Sequence, residues 1–136
     1  MIENISNIAE LAHRELSSAK SGEKFSLSAV LTDALGFKKI FVHHEVIPPG
    51  RRASAPHAHS SQEEMIFVLR GNPTAYIGDR AAMLAPGDFI GFQPSTEKLH
   101  YIENGSIDEA ELLMIASRDQ SDHVHYDELR NGRMWA

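Results

Sequence analysis

Histidines are the residues of this chain that are best suited to chemistry. The sequence holds eight histidines among 136 residues, and imidazole is the commonest metal ligand in proteins. His57 and His59 are separated by one residue and follow directly after Pro56. On an extended chain, side chains two residues apart project from the same face, so both imidazoles can reach one ion. The spacing therefore predicts part of a metal site.

Glu64 and His100 are the candidates that complete this site. Glu64 opens the next predicted strand and can add a carboxylate oxygen, and His100 lies on a later strand that we expect to pack across from it. Three neutral imidazoles with one carboxylate suit zinc, nickel, iron, manganese or copper, and not the oxygen cage of calcium. We therefore predict one divalent transition-metal ion held by His57, His59, Glu64 and His100.

Composition narrows the classes of function. The chain has no cysteine, which excludes a disulfide framework, a thiolate zinc site and a cysteine nucleophile. Its formal net charge of −6 argues against nucleic acid as a partner, because phosphate binding needs clustered Lys and Arg. No apolar run approaches the roughly 20 residues of a membrane span. We expect a cytoplasmic protein without a secretory signal or a membrane partner.

The positioning elements are predicted to be short β-strands. Alternating or β-branched runs separated by Gly, Pro and Asn turns predict strands at 25–31, 39–47, 64–69, 74–77, 81–84, 88–92, 99–103 and 112–116. Many short strands at this pace are typical of an antiparallel sandwich or barrel. Residues 7–20 show helical spacing behind a cap at Asn7 and predict a short helix, although an arm that pairs with another subunit would have a similar sequence. We expect an N-terminal extension over 1–22 and one β-barrel domain over 23–136, with a polar tail after Arg118.

The segment from Gly50 to Gly71 resembles the first motif of the cupin superfamily, in which a glycine, a His-x-His pair, a glutamate and a second glycine recur. Gly50, His57, His59, Glu64 and Gly71 occupy these places, with one extra residue after Gly50. Pro86-Gly87-Asp88 and His100 with Asn104 are similar to the second motif. Gln93 and Ser95 stand where proline and glycine are usual. The core motifs span residues 50–104, and the chain looks like the small single-domain bacterial cupins.

This resemblance implies an all-β fold, the antiparallel double-stranded β-helix or jelly-roll barrel, hollow enough for a small-molecule ligand and commonly assembled as a homodimer. If Glu64 faces the interior, alternation places Ile66 and Val68 beside it, and Ile102 beside His100. These three side chains are predicted to line the pocket. Gln62, Gln93 and His44 are further candidates for contacts with substrate.

The remaining histidines carry weaker predictions. Adjacent residues on a strand face opposite sides, so at most one of His43 and His44 points inward. His123 and His125, with Asp122 and Asp127, imitate a second metal site, but they fall in the predicted tail, and a solvated segment is the better interpretation.

The predicted function is that of a metal-dependent small-molecule enzyme. The phased strands offer no general acid or base, which favours an oxygenase, isomerase or decarboxylase that uses the ion to bind and polarise a small organic acid or sugar-like compound. The alternative is a non-catalytic metal or small-molecule binding or sensing module, and a purely structural metal is a third interpretation.

Overall fold

The computed structural model describes residues 4–94 and 97–127. The predicted motif position Ser95 and the outer ends of the two predicted regions, 1–3 and 128–136, lie outside the described residues. Two antiparallel sheets account for nearly all of the regular structure in the described part, which confirms the all-β jelly-roll prediction. No helix of the described part is long and apolar enough to cross a membrane.

Eleven strands and two very short helices follow one another along the described chain. The helices are a 3₁₀ turn at Ile8–Glu10 and α1 at Leu31–Leu35. The strands are β1 Arg14–Ser17, β2 Lys24–Val30, β3 Ile40–Ile47, β4 His57–His59, β5 Glu64–Arg70, β6 Thr74–Ile77, β7 Arg80–Met83, β8 Phe89–Phe92, β9 His100–Glu103, β10 Ala110–Ser117 and β11 Val124–Tyr126. Every strand predicted from the alternation is present, within a few residues of its predicted ends.

The strands form a six-stranded sheet in the order β1-β2-β3-β10-β5-β8 and a five-stranded sheet in the order β11-β4-β9-β6-β7. Between the sheets lies one apolar cluster, to which the first sheet contributes Ile47, Ile66, Val68 and Leu112 and the second contributes Ala75 and Ile102. Burial of this apolar surface is the main favourable term in holding the sheets face to face. Glu64, Ile66, Val68 and Ile102, which alternation groups on one face if Glu64 and His100 point inward, are all buried.

The predicted helix over residues 7–20 is wrong. Asn7 does cap a turn by accepting a hydrogen bond from Ala9 N at 2.8 Å, but that turn ends at Glu10. The chain then becomes strand β1, which pairs antiparallel with β2 through Arg14↔Ser28 and Glu15↔Leu27. A free edge on β2 offers backbone hydrogen bonds to a whole strand, and this tertiary pairing outweighs a weak local helix propensity.

The C-terminal segment, predicted only as a polar tail, contains a strand that the sequence analysis did not predict. Its residues Val124, His125 and Tyr126 pair with His59, Ala58 and His57, so β11 forms the edge of the second sheet. His123 and His125 are exposed, whereas Asp122 turns inward, as described below. The segment thus lies directly against the strand that carries two of the predicted ligands.

Gly71 generates a prediction about the fold. It has φ +83°, and a Cβ there would lie 2.7 Å from the backbone oxygen of Glu109 and 2.8 Å from Ala110 Cα. Gly50 has nearly the same φ, +81°, with nothing within 4 Å. We expect Gly50→Ala to lower the free energy of unfolding by about 1–2 kcal/mol, the cost of left-handed backbone. Gly71→Ala adds a backbone clash and should cost clearly more, about 3 kcal/mol or above. Urea denaturation of both variants tests this; equal losses would contradict it.

Candidate metal centre

The centre of the site is the carboxylate of Glu64, which three imidazoles surround. His100 Nε2 lies 2.8 Å from Glu64 Oε1, His59 Nε2 lies 3.3 Å from Oε2, and His57 Nε2 lies 3.8 Å from Oε1. All four side chains are buried or nearly so, with 5 to 11% of each exposed. The structure therefore brings together all four residues that the sequence analysis singled out.

Strand pairing explains why these side chains meet. His57 on β4 is the register partner of His100 on β9, so their rings lie on the same face with centroids 4.5 Å apart. Glu64 on β5 is in turn paired with Phe92 on β8. The Phe92 ring stacks on His100 at 3.7 Å with an interplanar angle of 3°. Phe92 thereby fixes the orientation of the His100 ring beside the carboxylate.

The Nδ1 atoms of His57 and His59 both make hydrogen bonds. His57 Nδ1 donates to the backbone oxygen of Ala55 at 2.9 Å, and His59 Nδ1 donates to Asp122 Oδ2 at 2.8 Å. A backbone carbonyl and an ionised carboxylate can only accept, so the proton must lie on Nδ1 in both rings. When no proton occupies Nε2, each ring presents the lone pair of that atom to the space around Glu64, which is the arrangement that metal-binding histidines require.

The electrostatics of the site favour positive charge. Burial on its own would raise the pKa of Glu64, but hydrogen bonds from His100, His57 and His59 outweigh it and hold this pKa far below its usual range. Its carboxylate in turn raises the pKa of His59 to about 9, with a further contribution from Asp122. A permanently ionised group therefore attracts a cation here, whether a proton on His59 or a metal ion in its place.

The donor set fits a divalent metal ion. Ligand atoms of His57, His59 and Glu64 all lie within 4.8 Å of one another, so these three residues could hold an ion. His100, on β9, contacts the same carboxylate and is the candidate for the fourth ligand. Nitrogen and oxygen donors in this ratio suit zinc, nickel, iron, manganese or copper. The identity of the ion stays a prediction within that set.

Sequence reasoning missed a second carboxyl inside the barrel. Glu45 on β3 pairs with Leu112, a core residue, so its side chain faces the interior. It accepts a hydrogen bond from Ser26 Oγ, while its other oxygen, Oε2, makes no hydrogen bond and lies 3.5 Å from His43 Nδ1. Desolvation, aided by the charge of Glu64, raises the pKa of Glu45 to about 7. The alternation of Phe41, His43, Glu45 and Ile47 was the available signal.

His43, and not His44, is the inward member of its pair. Burial lowers the pKa of His43 to about 4, so the ring is neutral at physiological pH. His44 lies on the opposite face of β3, with Nε2 2.9 Å from Glu111 Oε1 and Nδ1 2.7 Å from His13 Nε2. The proposed pocket role of His44 is therefore wrong, because its ring serves to attach the N-terminal segment to the outside of the first sheet.

The other predicted pocket residues take different places. Ile66, Val68 and Ile102 belong to the packed core beneath the site. Gln93 lines a cavity of about 460 Å³ that also reaches Glu64 and Phe92. Gln62 is half-buried, and its backbone N–H donates to Asp122 Oδ1. No Lys or Arg lines the described part of this cavity; its remaining lining residues are Ile40, Glu63, Met65, Gly91, Ile115, Ala116 and Ser117.

Fold and site together define a small jelly-roll barrel with a histidine and carboxylate centre that is able to bind metal. Residues 43–116 match the family model described as the cupin domain. This match covers more than half of the 136 residues, and the chain therefore belongs to the cupin family. No curated protein matches this sequence significantly.

Solved structures agree with this membership. A protein from Acidithiobacillus ferrooxidans, provisionally named a sugar phosphate isomerase, is 30% identical over 86% of this chain and 73% of its own, with a TM-score of 0.75. A sugar phosphate isomerase of the cupin superfamily from Silicibacter pomeroyi is 21% identical over 90% and 81%, with a TM-score of 0.80. The polyketide cyclase RemF from Streptomyces resistomycificus is 20% identical over 96% and 89%, with a TM-score of 0.73. The latter two likenesses concern the fold alone.

The buried Glu45 generates a prediction about pH. Because its folded-state pKa of about 7 exceeds the usual 4.5, the folded state retains a proton that the unfolded chain releases. The stability contributed below pH 4.5 is thus lost as the pH rises through about 7. The glutamine of Glu45→Gln cannot ionise. As the pH rises over this window, the difference in free energy of unfolding between the variant and the wild type should therefore change in favour of the variant by up to about 3 kcal/mol, at about 1.4 kcal/mol per pKa unit.

Urea denaturation of the metal-free protein between pH 4.5 and 8 measures this difference. Glu10→Gln, at an exposed position, is the matched control and should follow the wild-type curve. Parallel pH curves for the wild type and Glu45→Gln would show that Glu45 ionises normally in the folded state.

Proposed function

We propose that the chain is a metal-dependent isomerase of small hydroxycarbonyl compounds, with one divalent transition-metal ion held by His57, His59, Glu64 and His100. The observation that carries the proposal is the convergence of three imidazole Nε2 atoms on one buried carboxylate. When bound, such an ion supplies a Lewis acid that polarises a substrate carbonyl. A bound cation would also compensate the charge of Glu64, because an ionised group that is buried without a partner of opposite charge is costly.

The interior carboxyl Glu45 favours isomerisation over oxygenation or decarboxylation. Isomerisation of a hydroxycarbonyl compound moves a proton between neighbouring carbon atoms, and it therefore needs a group that both gives and accepts a proton near neutral pH. Glu45 has its pKa raised to about 7 and faces the same interior as Glu64. It is the candidate proton-transfer group. The names of two structural relatives, both called sugar phosphate isomerases, agree with this reaction class.

A binding or sensing module is the second candidate. The four proposed ligands are at most 11% exposed. A site this enclosed also suits an ion that captures a ligand without converting it.

Metal stoichiometry tests the site itself. We expect about one ion per chain after reconstitution, and loss of more than about 90% of it in His57→Ala or His100→Ala, because each variant removes a ligand atom. His125→Ala, an exposed histidine on β11, is the matched control and should retain the metal. Affinity should fall as the pH drops below about 9, because the proton that His59 then holds in the metal-free protein competes with the ion. Full stoichiometry in His100→Ala would remove His100 from the site.

Deuterium exchange tests the reaction. The metal-loaded protein, incubated in D₂O with a panel of aldoses, ketoses and their phosphates, should introduce deuterium next to the carbonyl carbon, as measured by NMR. Glu45→Gln should slow this exchange by about 100-fold or more while binding the ion normally, as expected for loss of a general acid–base group. Thermal stabilisation by a panel compound without deuterium uptake would favour the binding module instead.

A further inference from the structure

The strand that carries two proposed ligands is attached mainly to the C-terminal segment. β4 has a single register pair with β9, His57↔His100, on one side. On its other side it has three pairs with β11, from Val124↔His59 to Tyr126↔His57. Two hydrogen bonds extend this attachment: Ser60 N donates to His123 O at 3.0 Å, and Asp127 N donates to Pro56 O at 2.9 Å. The position of His57 and His59 therefore depends on a segment beyond the family core.

Asp122 is the residue of this segment that reaches the site. Its Oδ2 accepts the Nδ1 proton of His59 at 2.8 Å, and its Oδ1 accepts the backbone N–H groups of Ser61 and Gln62, both at 2.9 Å. Only 5% of the Asp122 side chain is exposed. Both carboxylate oxygens are thus directed at β4 and the turn that follows it.

The donors around Asp122 define its role. One of its carboxylate oxygens faces the Nδ1 of His59, and the other faces the backbone N–H groups of Ser61 and Gln62. Both oxygens therefore act as acceptors. An ionised acceptor on Nδ1 keeps the His59 Nε2 lone pair directed at Glu64 and makes it a stronger donor to a metal ion.

We propose that Asp122 makes the C-terminal segment 119–127 a functional part of the metal centre: it positions His59, so that metal binding and docking of this segment stabilise each other. The inference rests on the proposed metal site. The coupling is reciprocal by thermodynamic necessity, because any docking energy that strengthens the site is returned as stabilisation of the docked segment when the ion binds.

Asp122→Asn is the decisive substitution. An asparagine offers one acceptor oxygen and one donor NH₂. If its oxygen faces His59, its NH₂ opposes the N–H groups of Ser61 and Gln62; in the reverse orientation the bond to His59 is lost. Asp119→Asn is the matched control, since Asp119 lies in the same segment and is exposed, and its described side-chain contacts are with Ser121 and Ser61 and not with His59.

Zinc affinity is measured by competition with a chromophoric chelator, beside thermal melting of the metal-free proteins. We expect Asp122→Asn to bind zinc 10- to 100-fold more weakly, the usual range for partners of metal-bound histidines, and Asp119→Asn to bind within about twofold of the wild type. NMR of zinc-loaded protein should show a slowly exchanging Nδ1 proton on His59 that is lost in Asp122→Asn and retained in Asp119→Asn. If Asp122 had a purely structural role, Asp122→Asn would have a lower melting temperature, but its zinc affinity and its His59 Nδ1 proton signal would match those of Asp119→Asn.

Hydrogen exchange on the wild type tests the same coupling without any variant. Zinc should slow exchange of the backbone amides of Ser60 and Asp127, which join β4 to the segment, by about 10-fold or more. Unchanged exchange, or Asp122→Asn affinity equal to that of Asp119→Asn, would overturn the inference while leaving the metal site intact. If the wild type bound no zinc, both the proposed metal site and this inference would be overturned. If the wild type binds zinc and His57→Ala does not, the metal site stands, and a failure of the Asp122 or exchange test then overturns this inference alone.

Discussion

A buried carboxylate is the constraint on which this structure depends. Taking an ionised Glu64 out of water costs several kcal/mol unless partners compensate it. Its partners are three imidazoles carried by β4 and β9, whereas Glu64 itself belongs to β5 in the other sheet. The compensation therefore exists only when the two sheets are packed face to face. The apolar cluster around Ile66 and Ile102 supplies that packing directly beneath the site.

Residues other than the proposed ligands hold much of the site in place. His57 and His59 lie on a strand of three residues that β9 contacts at one register pair. Such a short strand gains little from its own pairing, so its position is set by Ala55, by Asp122 and by β11. Each of these engages Nδ1 or the backbone and leaves Nε2 directed at Glu64. The precision of the centre thus comes from contacts that touch no ligand atom.

The sequence predicted the strands whose own alternation reveals a buried face. It failed where pairing with a distant strand determines the local structure. Period-two alternation predicted strands at β5 and β9 and grouped Glu64 with Ile66 and Val68, and His100 with Ile102, because a strand buried on one face must alternate. It failed at residues 7–20, where Ile8, Leu11 and Ala12 follow helical spacing but Arg14 and Glu15 pair with β2. It failed again at β11, whose three exposed residues have no pattern of their own and are ordered by β4.

Glu45 was missed for a related reason. On β3, His43 and Glu45 are polar residues on an inward face, and they imitate a solvated face unless the strand is phased from Ile47, which is fully buried. In the structure the paired strand shows that this face is inside, through Leu112 opposite Glu45. Asp122 gave no signal at all, because its role depends on a contact with His59, 63 residues earlier in the chain.

The two interior carboxyls show how one barrel produces opposite behaviour from the same functional group. Three imidazoles hold Glu64 ionised, whereas Glu45 has one hydroxyl partner, is fully buried and feels the charge of Glu64, so its pKa rises to about 7. Neighbouring acids whose pKa values are driven apart in this way are suited to divided roles, one as a permanent anion and one as a proton carrier. A cation beside Glu64 would reduce the repulsion that Glu45 experiences and lower its proton affinity. Occupation of the metal site would therefore favour the ionised form of Glu45, so a cation beside Glu64 and a proton on Glu45 oppose each other.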